Sequence, residues 1–149
     1  MRYFIRELEE NDYEKHYLQL LKELTFIEPH KITRDIFNDF VKNLNNNHII
    51  FVIEDLTNNT IIGTVTILKE QKLIHNLGVV IHIEDLVIHK DYRKQGFANK
   101  LLELCKEEAI NCGSYKIILN CSNELEIFYN KHGFEKKNIQ MSLYNDPVI

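Results

Sequence analysis

Residues 82–102 read HIEDLVIHKDYRKQGFANKLL, and this stretch organises the rest of the chain. Ile83 to Ile88 is an apolar run interrupted by the acidic pair Glu84 and Asp85. A short basic loop follows, Tyr92-Arg93-Lys94-Gln95-Gly96. An amphipathic helix begins at about Phe97, with Phe97, Leu101, Leu104, Cys105 and Ala109 on its inner face. A strand that feeds a basic, glycine-containing loop and then a helix offers free backbone N–H groups and the positive end of a helix dipole to an anion. Arg93, Lys94 and Lys100 add charge, and a diphosphate is a natural guest. The acidic pair, one strand-length upstream, sets a base near whatever carries that anion. Successive strand residues point to opposite faces, so Glu84 and Asp85 share a role only if a bulge intervenes.

Working outward, the strand–helix unit continues. Gly113 suits a helix C-terminus, and Tyr115 to Cys121 is a β-branched strand. Asn123 and Glu126 are placed to cap a short helix carrying Ile127, Phe128 and Tyr129, which ends near Gly133. Phe134 and then Ile139 to Leu143 supply the last strand or strands. Upstream of the opening stretch, Ile49 to Glu54 and Ile61 to Leu68 read as a hairpin about Thr57-Asn58-Asn59-Thr60. Leu73 to Leu77 is ambiguous. Nearer the N-terminus, Tyr3 to Glu7 alternates as a strand. Asn11 and Glu14 suggest a capped helix over about 12–24, and Thr33 caps a second helix with Ile36, Phe37, Phe40, Val41 and Leu44 inward. The predicted order is βααβββαβαβ. Three consecutive strands imply an antiparallel meander, and the strand–helix–strand unit implies one right-handed parallel crossover. The expectation is one α+β domain over residues 1–149, with a mixed, mostly antiparallel twisted sheet flanked by helices.

The totals agree. A chain of 149 residues with 44% hydrophobic and 27% charged residues is an ordinary globular composition. A net charge of -4 argues against a general nucleic-acid binder. The three cysteines form neither a disulfide framework nor a metal spacing, and the seven histidines show no metal spacing either. No apolar run approaches the roughly 20 residues that span a bilayer, and MRYFIREL lacks a signal-peptide core. A cytoplasmic protein without a metal, a nucleic-acid partner or a membrane span is expected.

On these residues a resemblance can be stated. Arg93-x-x-Gly96-x-Ala98, followed by a helix, a strand ending near Asn120, Phe128-Tyr129 and Gly133-Phe134, resembles the GNAT superfamily of acetyl-CoA-dependent N-acyltransferases. The resemblance implies acetyl-CoA as co-substrate. Its pyrophosphate would lie on the loop of Arg93, Lys94, Gln95, Gly96, Phe97, Ala98 and Asn99. Its pantetheine arm would lie beside backbone at Leu86, Val87 and Ile88, with a further contact from Asn123. The segments Leu73–Gly78, His82–Ile88 and Tyr115–Cys121 look more specifically like eukaryotic glucosamine-6-phosphate N-acetyltransferases. That family implies a sheet splayed near Glu84, Glu84 as the base, and Tyr129 as the acid that protonates the thiolate. It further implies sugar contacts from Thr25, Lys72, Ile74, His75, Glu84, Asp85, Tyr115 and Lys116, and a homodimer through C-terminal strands. Ammonium and imidazole groups suit a phosphorylated, hydroxyl-rich ligand. Three positions depart from the pattern. Asn120 stands where several relatives have Asp, Leu125 near a pantetheine-holding Asn, and Tyr144 near a basic residue that reaches the sugar phosphate across the dimer. Two other readings remain open: acetylation of a different small amine such as a polyamine or a peptide amine, and a GNAT module that binds acyl-CoA without turnover.

Overall fold

In the computed structural model residues 1–146 are described, and they carry a five-stranded sheet in the order β1-β2-β3-β4-β5. The strands are β1 (Tyr3–Glu7), β2 (His48–Asp55), β3 (Thr60–Gln71), β4 (Val79–Ile88) and β5 (Ser114–Leu119). The first four pair antiparallel with their neighbours, as the run of three consecutive strands predicts. The fifth joins the β4 edge after the crossover helix α4 (Phe97–Asn111) and makes the sheet mixed. The expected α+β architecture is therefore present.

Two layers cover the sheet. On one face α1 (Tyr17–Leu21) and α2 (Arg34–Lys42) close a core in which Leu8, Tyr17, Leu18, Leu20 and Phe37 meet Ile50, Val52, Ile61 and Val87. Thr33 caps α2 as its sequence position predicts, accepting a hydrogen bond from Ile36 N–H at 3.3 Å. On the other face α4 buries Phe97, Leu101, Leu102, Cys105 and Ala109, close to the predicted stripe. No helix among the described residues is long and apolar enough to cross a membrane.

Two expectations fail. The helix read over 12–24 is two pieces, a 3-10 turn at Glu10–Glu14 and α1, separated by His16 in the left-handed conformation at φ 62°. The cause is Asp12, which is fully buried and accepts from both Arg6 guanidinium nitrogens at 2.8 and 2.7 Å and from Glu9 N–H at 2.8 Å. That carboxylate draws the first turn onto β1, so the capping box forms at Glu9 and Asp12 rather than at Asn11 and Glu14. The second failure is the last strand. Ile139 to Leu143 belongs to no strand among the described residues, and Ile139, Met141 and Leu143 are 90%, 90% and 89% exposed. A β-pattern without a neighbouring strand has nothing to complete its ladder.

The chain clusters into two compact units, Met1–Ile118 and a second that begins at Leu119. The second unit holds a 3-10 turn at Asn123–Leu125 and α5 (Glu126–Lys131).

Candidate active site

The bulge that Glu84 and Asp85 require is present. Thr64 pairs with Val87 and Thr66 with Glu84, so Asp85 and Leu86 together oppose the single residue Val65. Asp85 takes a left-handed φ of 53°, a conformation that Asp tolerates better than most side chains. Glu84 and Val87 are three apart, which in a regular strand would put them on opposite faces. The extra residue brings both onto the face of Thr64 and Thr66, the face covered by α1. Glu84 is half-buried there and Asp85 is exposed. Tyr17 of α1 lies within electrostatic reach of the bulge. Burial pushes its hydroxyl up to about 12; a hydrogen bond with Thr64 opposes the shift and the charge of Asp85 adds to it.

The anion loop follows directly from β4. Lys94 and Gly96 both have positive φ, 60° and 85°, which reverses the chain twice within three residues. The first helical hydrogen bond of α4 runs from Lys100 N–H to the Gly96 carbonyl at 3.2 Å, so the N–H groups of Gly96, Phe97 and Ala98 have no acceptor within the helix. Phe97 itself is a core residue, and its ring meets Tyr3 edge-on at 5.3 Å. Its side chain anchors the helix start and leaves only its backbone for a ligand. Arg93 differs from the expectation in its role. Its Nε donates to the Ile88 carbonyl at 2.9 Å and its Nη2 to Glu23 at 2.7 Å. The guanidinium therefore shapes the loop rather than standing free as an anion ligand. Amides of this kind at a helix start, beside Lys94, fit a diphosphate.

Of the predicted sugar-binding residues, Lys72, Ile74, His75, Tyr115 and Lys116 lie at the far end of β3, β4 and β5, whereas Glu84 and Asp85 sit at the β4 bulge and Thr25 follows α1. The short α3 (Ile74–Leu77) contains His75, Asn76 and Leu77 with φ of 53°, 55° and 64°. Three consecutive left-handed residues explain why this segment fits neither a helix nor a strand pattern. The turn is closed by Lys72 N–H donating to the Gly78 carbonyl at 2.8 Å. His75 lies against the Tyr115 ring at 4.5 Å, and Lys116 Nζ is 5.7 Å from the centre of that ring. Lys72 Nζ is 3.0 Å from Glu70 Oε1, with His82 Nε2 3.1 Å from the same oxygen. Lys72, then His82, hold the Glu70 carboxyl below its usual range. Ile74 is exposed, as is Thr25 at the turn after α1.

In the second unit Tyr129 is buried, with its ring 5.1 Å from Phe128 and 5.9 Å from Phe134. Gly133, at φ 89°, closes α5 and returns Phe134 toward Tyr129, whose carbonyl accepts from Phe134 N–H at 3.2 Å. This packing explains the spacing of the aromatic pair and the Gly-Phe that follows. Asn120, Asn123, Leu125 and Tyr144 are exposed. Lys136 and Lys137 are paired with Glu126 and Glu135, at 3.6 and 2.9 Å.

Sequence reasoning missed Glu23 and Glu70. Each is an acceptor for cations that were recognised, Arg93 and Lys72, but neither lies in a motif. Glu70 is two residues from Lys72 and was legible as a same-face strand neighbour. Glu23 meets a residue 70 positions away, and no local pattern signals that. Among the described residues no group of three or more His, Cys, Asp or Glu side chains is placed to hold a metal.

A family model described as an acetyltransferase (GNAT) domain matches residues 12–142. The chain is 35% identical over 145 residues to glucosamine 6-phosphate N-acetyltransferase of Arabidopsis thaliana, covering 95% of this chain and 96% of that protein. It is 36% identical over 142 residues to glucosamine 6-phosphate N-acetyltransferase 1 of Dictyostelium discoideum, covering 93% and 88%. The crystal structure of the Arabidopsis enzyme superposes with a TM-score of 0.93 at 34% identity, over 98% of this chain and all of that one. An acetyltransferase of Trypanosoma brucei superposes with a TM-score of 0.82 at 28% identity, over 96% and 99%.

Proposed function

Because this chain belongs to the GNAT acetyltransferase family, we infer that it transfers the acetyl group of acetyl-CoA to the amine of glucosamine 6-phosphate. The observation that carries the substrate is the agreement in name of the relatives that match nearly the whole chain. The product is N-acetylglucosamine 6-phosphate, an intermediate that supplies UDP-N-acetylglucosamine biosynthesis.

Acetyl-CoA supplies an activated thioester, and the chain's own residues do the rest. The amides of Gly96 to Ala98, with Lys94, Gln95 and Asn99, hold the pyrophosphate, and Arg93 shapes their loop. The β4 backbone from Leu86 to Ile88, with Asn123, keeps the pantetheine arm in place. Lys72, His75 and Lys116 meet the sugar phosphate and hydroxyls, assisted by Thr25, Ile74, Tyr115 and Asp85. Glu84 removes one proton from the substrate ammonium, leaving a neutral amine. The amine nitrogen bonds to the thioester carbonyl carbon as the carbon–sulfur bond breaks. Tyr129 gives its proton to the leaving sulfur and regains one from the newly acylated nitrogen. Ammonium and thioester thus become amide, thiol and one proton, which Glu84 returns to solvent. No covalent acyl-enzyme is needed.

The chain acts as one functional domain and as a homodimer in the cytoplasm. The exposed apolar side chains of Ile139, Met141 and Leu143 support a second copy that completes their strand. Three free cysteines support a reducing compartment. The test is a thiol-release assay with acetyl-CoA and a panel of amines. Turnover of glucosamine 6-phosphate above glucosamine, spermidine and peptide amines is expected. Turnover of a polyamine or peptide amine with none on the sugar phosphate would overturn the substrate assignment. Binding of acetyl-CoA without thiol release on any amine of the panel would leave an acyl-CoA-binding module instead.

A further inference from the structure

The acyl-CoA loop is held from outside its own motif. Glu23 Oε2 accepts from Arg93 Nη2 at 2.7 Å and from Lys90 N–H at 2.9 Å, and Glu23 Oε1 is 3.6 Å from His89 Nε2. Three of the five residues between the end of β4 and Lys94 therefore converge on one carboxylate. Arg93 also braces the strand end itself, through its Nε to the Ile88 carbonyl at 2.9 Å. The Glu23 side chain is 20% exposed and that of Arg93 51%, so the carboxylate, with three partners, is the better-held side of the pair. Its own backbone is fixed in the turn that ends α1, with Glu23 N–H on the Leu20 carbonyl at 3.0 Å and Leu24 N–H on the Leu21 carbonyl at 3.0 Å.

We propose that Glu23 is a positioning residue for acyl-CoA: it straps the β4–α4 loop to the end of α1 and so presets the loop for the pyrophosphate. The physical need is clear. Two left-handed residues, Lys94 and Gly96, follow Arg93 at once. Without an anchor at Arg93 the loop would sample many conformations, and the ligand would have to order it on binding. With Glu23 in place that ordering is done during folding. The strap also sets the local charge. Glu23 neutralises Arg93, so the phosphate charge falls to the backbone amides and Lys94. The proposal rests on the acyl-CoA reading of the loop but not on the identity of the amine.

The experiment uses the full chain with Glu23→Gln, Arg93→Gln and the double variant, and reads three quantities. Ligand-free hydrogen exchange of the amides from Lys90 to Phe97 should accelerate about tenfold in Glu23→Gln while β2 and β3 keep their protection. Calorimetric Kd for acetyl-CoA, with no amine present, should rise about tenfold, or about 1.4 kcal/mol. In turnover, KM for acetyl-CoA should rise with kcat little changed, a split that general destabilisation does not produce. The double variant should bind no more weakly than the single ones, because both break the same contact. Unchanged exchange and Kd in Glu23→Gln would overturn the strap, as would additive losses in the double variant. A wild-type chain that binds acetyl-CoA but leaves glucosamine 6-phosphate untouched would overturn the amine assignment and leave the strap standing. A chain that binds no acetyl-CoA would overturn both.

Discussion

Replacing Gly78 with alanine isolates the wall of the proposed sugar site from everything else. The backbone there is at φ -62° and ψ 148°, an extended conformation open to any residue, so alanine adds no backbone strain. The cost is contact alone. A Cβ at this position would sit 2.7 and 2.9 Å from two carbons of the Tyr115 ring and 3.1 Å from the His75 Cβ. The ring approach is about 0.7 Å short of an ordinary contact, so Tyr115 must swing away by roughly that distance. Tyr115 is 41% exposed and has solvent to move into, which places the stability loss near the lower end of the about 1–3 kcal/mol that overpacking costs. For a chain of this size that is a fall of about 2–4 °C in Tm. The functional loss should be larger, because the displaced ring carries His75 with it, and a misplacement of about 1 Å can cost on the order of 10²-fold. Thiol release measured across a range of glucosamine 6-phosphate concentrations should show KM for the sugar raised at least about tenfold, since each tenfold is only about 1.4 kcal/mol. Calorimetric Kd for acetyl-CoA should be unaltered. An unchanged sugar KM would mean that the His75–Tyr115 stack does not form the pocket. An equal rise in acetyl-CoA Kd would mean that the substitution acts globally.

Other predictions follow from the same geometry. Glu84→Gln and Tyr129→Phe should each lower kcat by about 10²–10⁴-fold with acetyl-CoA binding retained, which thiol release and calorimetry measure together. Glu54→Gln should destabilise the chain in urea unfolding by less than the about 3 kcal/mol of an uncompensated buried charge, since it leaves Lys15 with Asp12 at 3.8 Å while Arg6 keeps Asp12 at 2.7 Å. Burial pushes the Glu54 carboxyl up, but Lys15 and Arg6 overcome this and hold it below its usual range. The stabilisation is therefore present above the ordinary Glu value of about 4.3 and is lost as pH falls through the lower folded value. Thermal midpoints should drop on acidification below that value, and more shallowly in Glu54→Gln. Among the cysteines, burial and then the nearby Glu108 push Cys105 up to about 12, while Cys121 is exposed. A thiol reagent should label Cys121 first and Cys105 only after unfolding.

The legible parts of this fold were the ones governed by short-range rules. The apolar runs of β2 and β3 about their turn, the α4 stripe and the Thr33 cap follow from hydrophobicity, period and capping, and the structure places them close to where they were read. The loop was legible through Gly96, but nothing local marks Lys94 as the second left-handed residue. The α1 region was misread because Asp12 answers to Arg6, which also meets Glu54 across the sheet, and a buried carboxylate can override helical periodicity. Glu23 was invisible for the same reason, since its partners lie 67 and 70 residues away. The C-terminal pattern carries apolar alternation, yet a strand also needs an edge to join. The proposed base and acid, Glu84 and Tyr129, were readable as residue types in context. The bulge that turns Glu84 toward α1 was implied only by family resemblance.

That bulge has a consequence for how the chain tolerates length changes. Asp85 and Leu86 together face Val65, so deleting either one leaves Glu84 two residues before Val87, on the same face, with Thr66 and Thr64 still opposite them. The deletion should therefore spare the register and the core, and straighten only the bend that the surplus residue makes in β4. Keeping both residues but pairing them regularly, with Val87 held in place, is the damaging change: it would turn Glu84 and His82 over to the face of α4, among Leu101, Leu102 and Cys105. Position 85 should accept substitutions, glycine and asparagine most readily, because they tolerate its left-handed backbone.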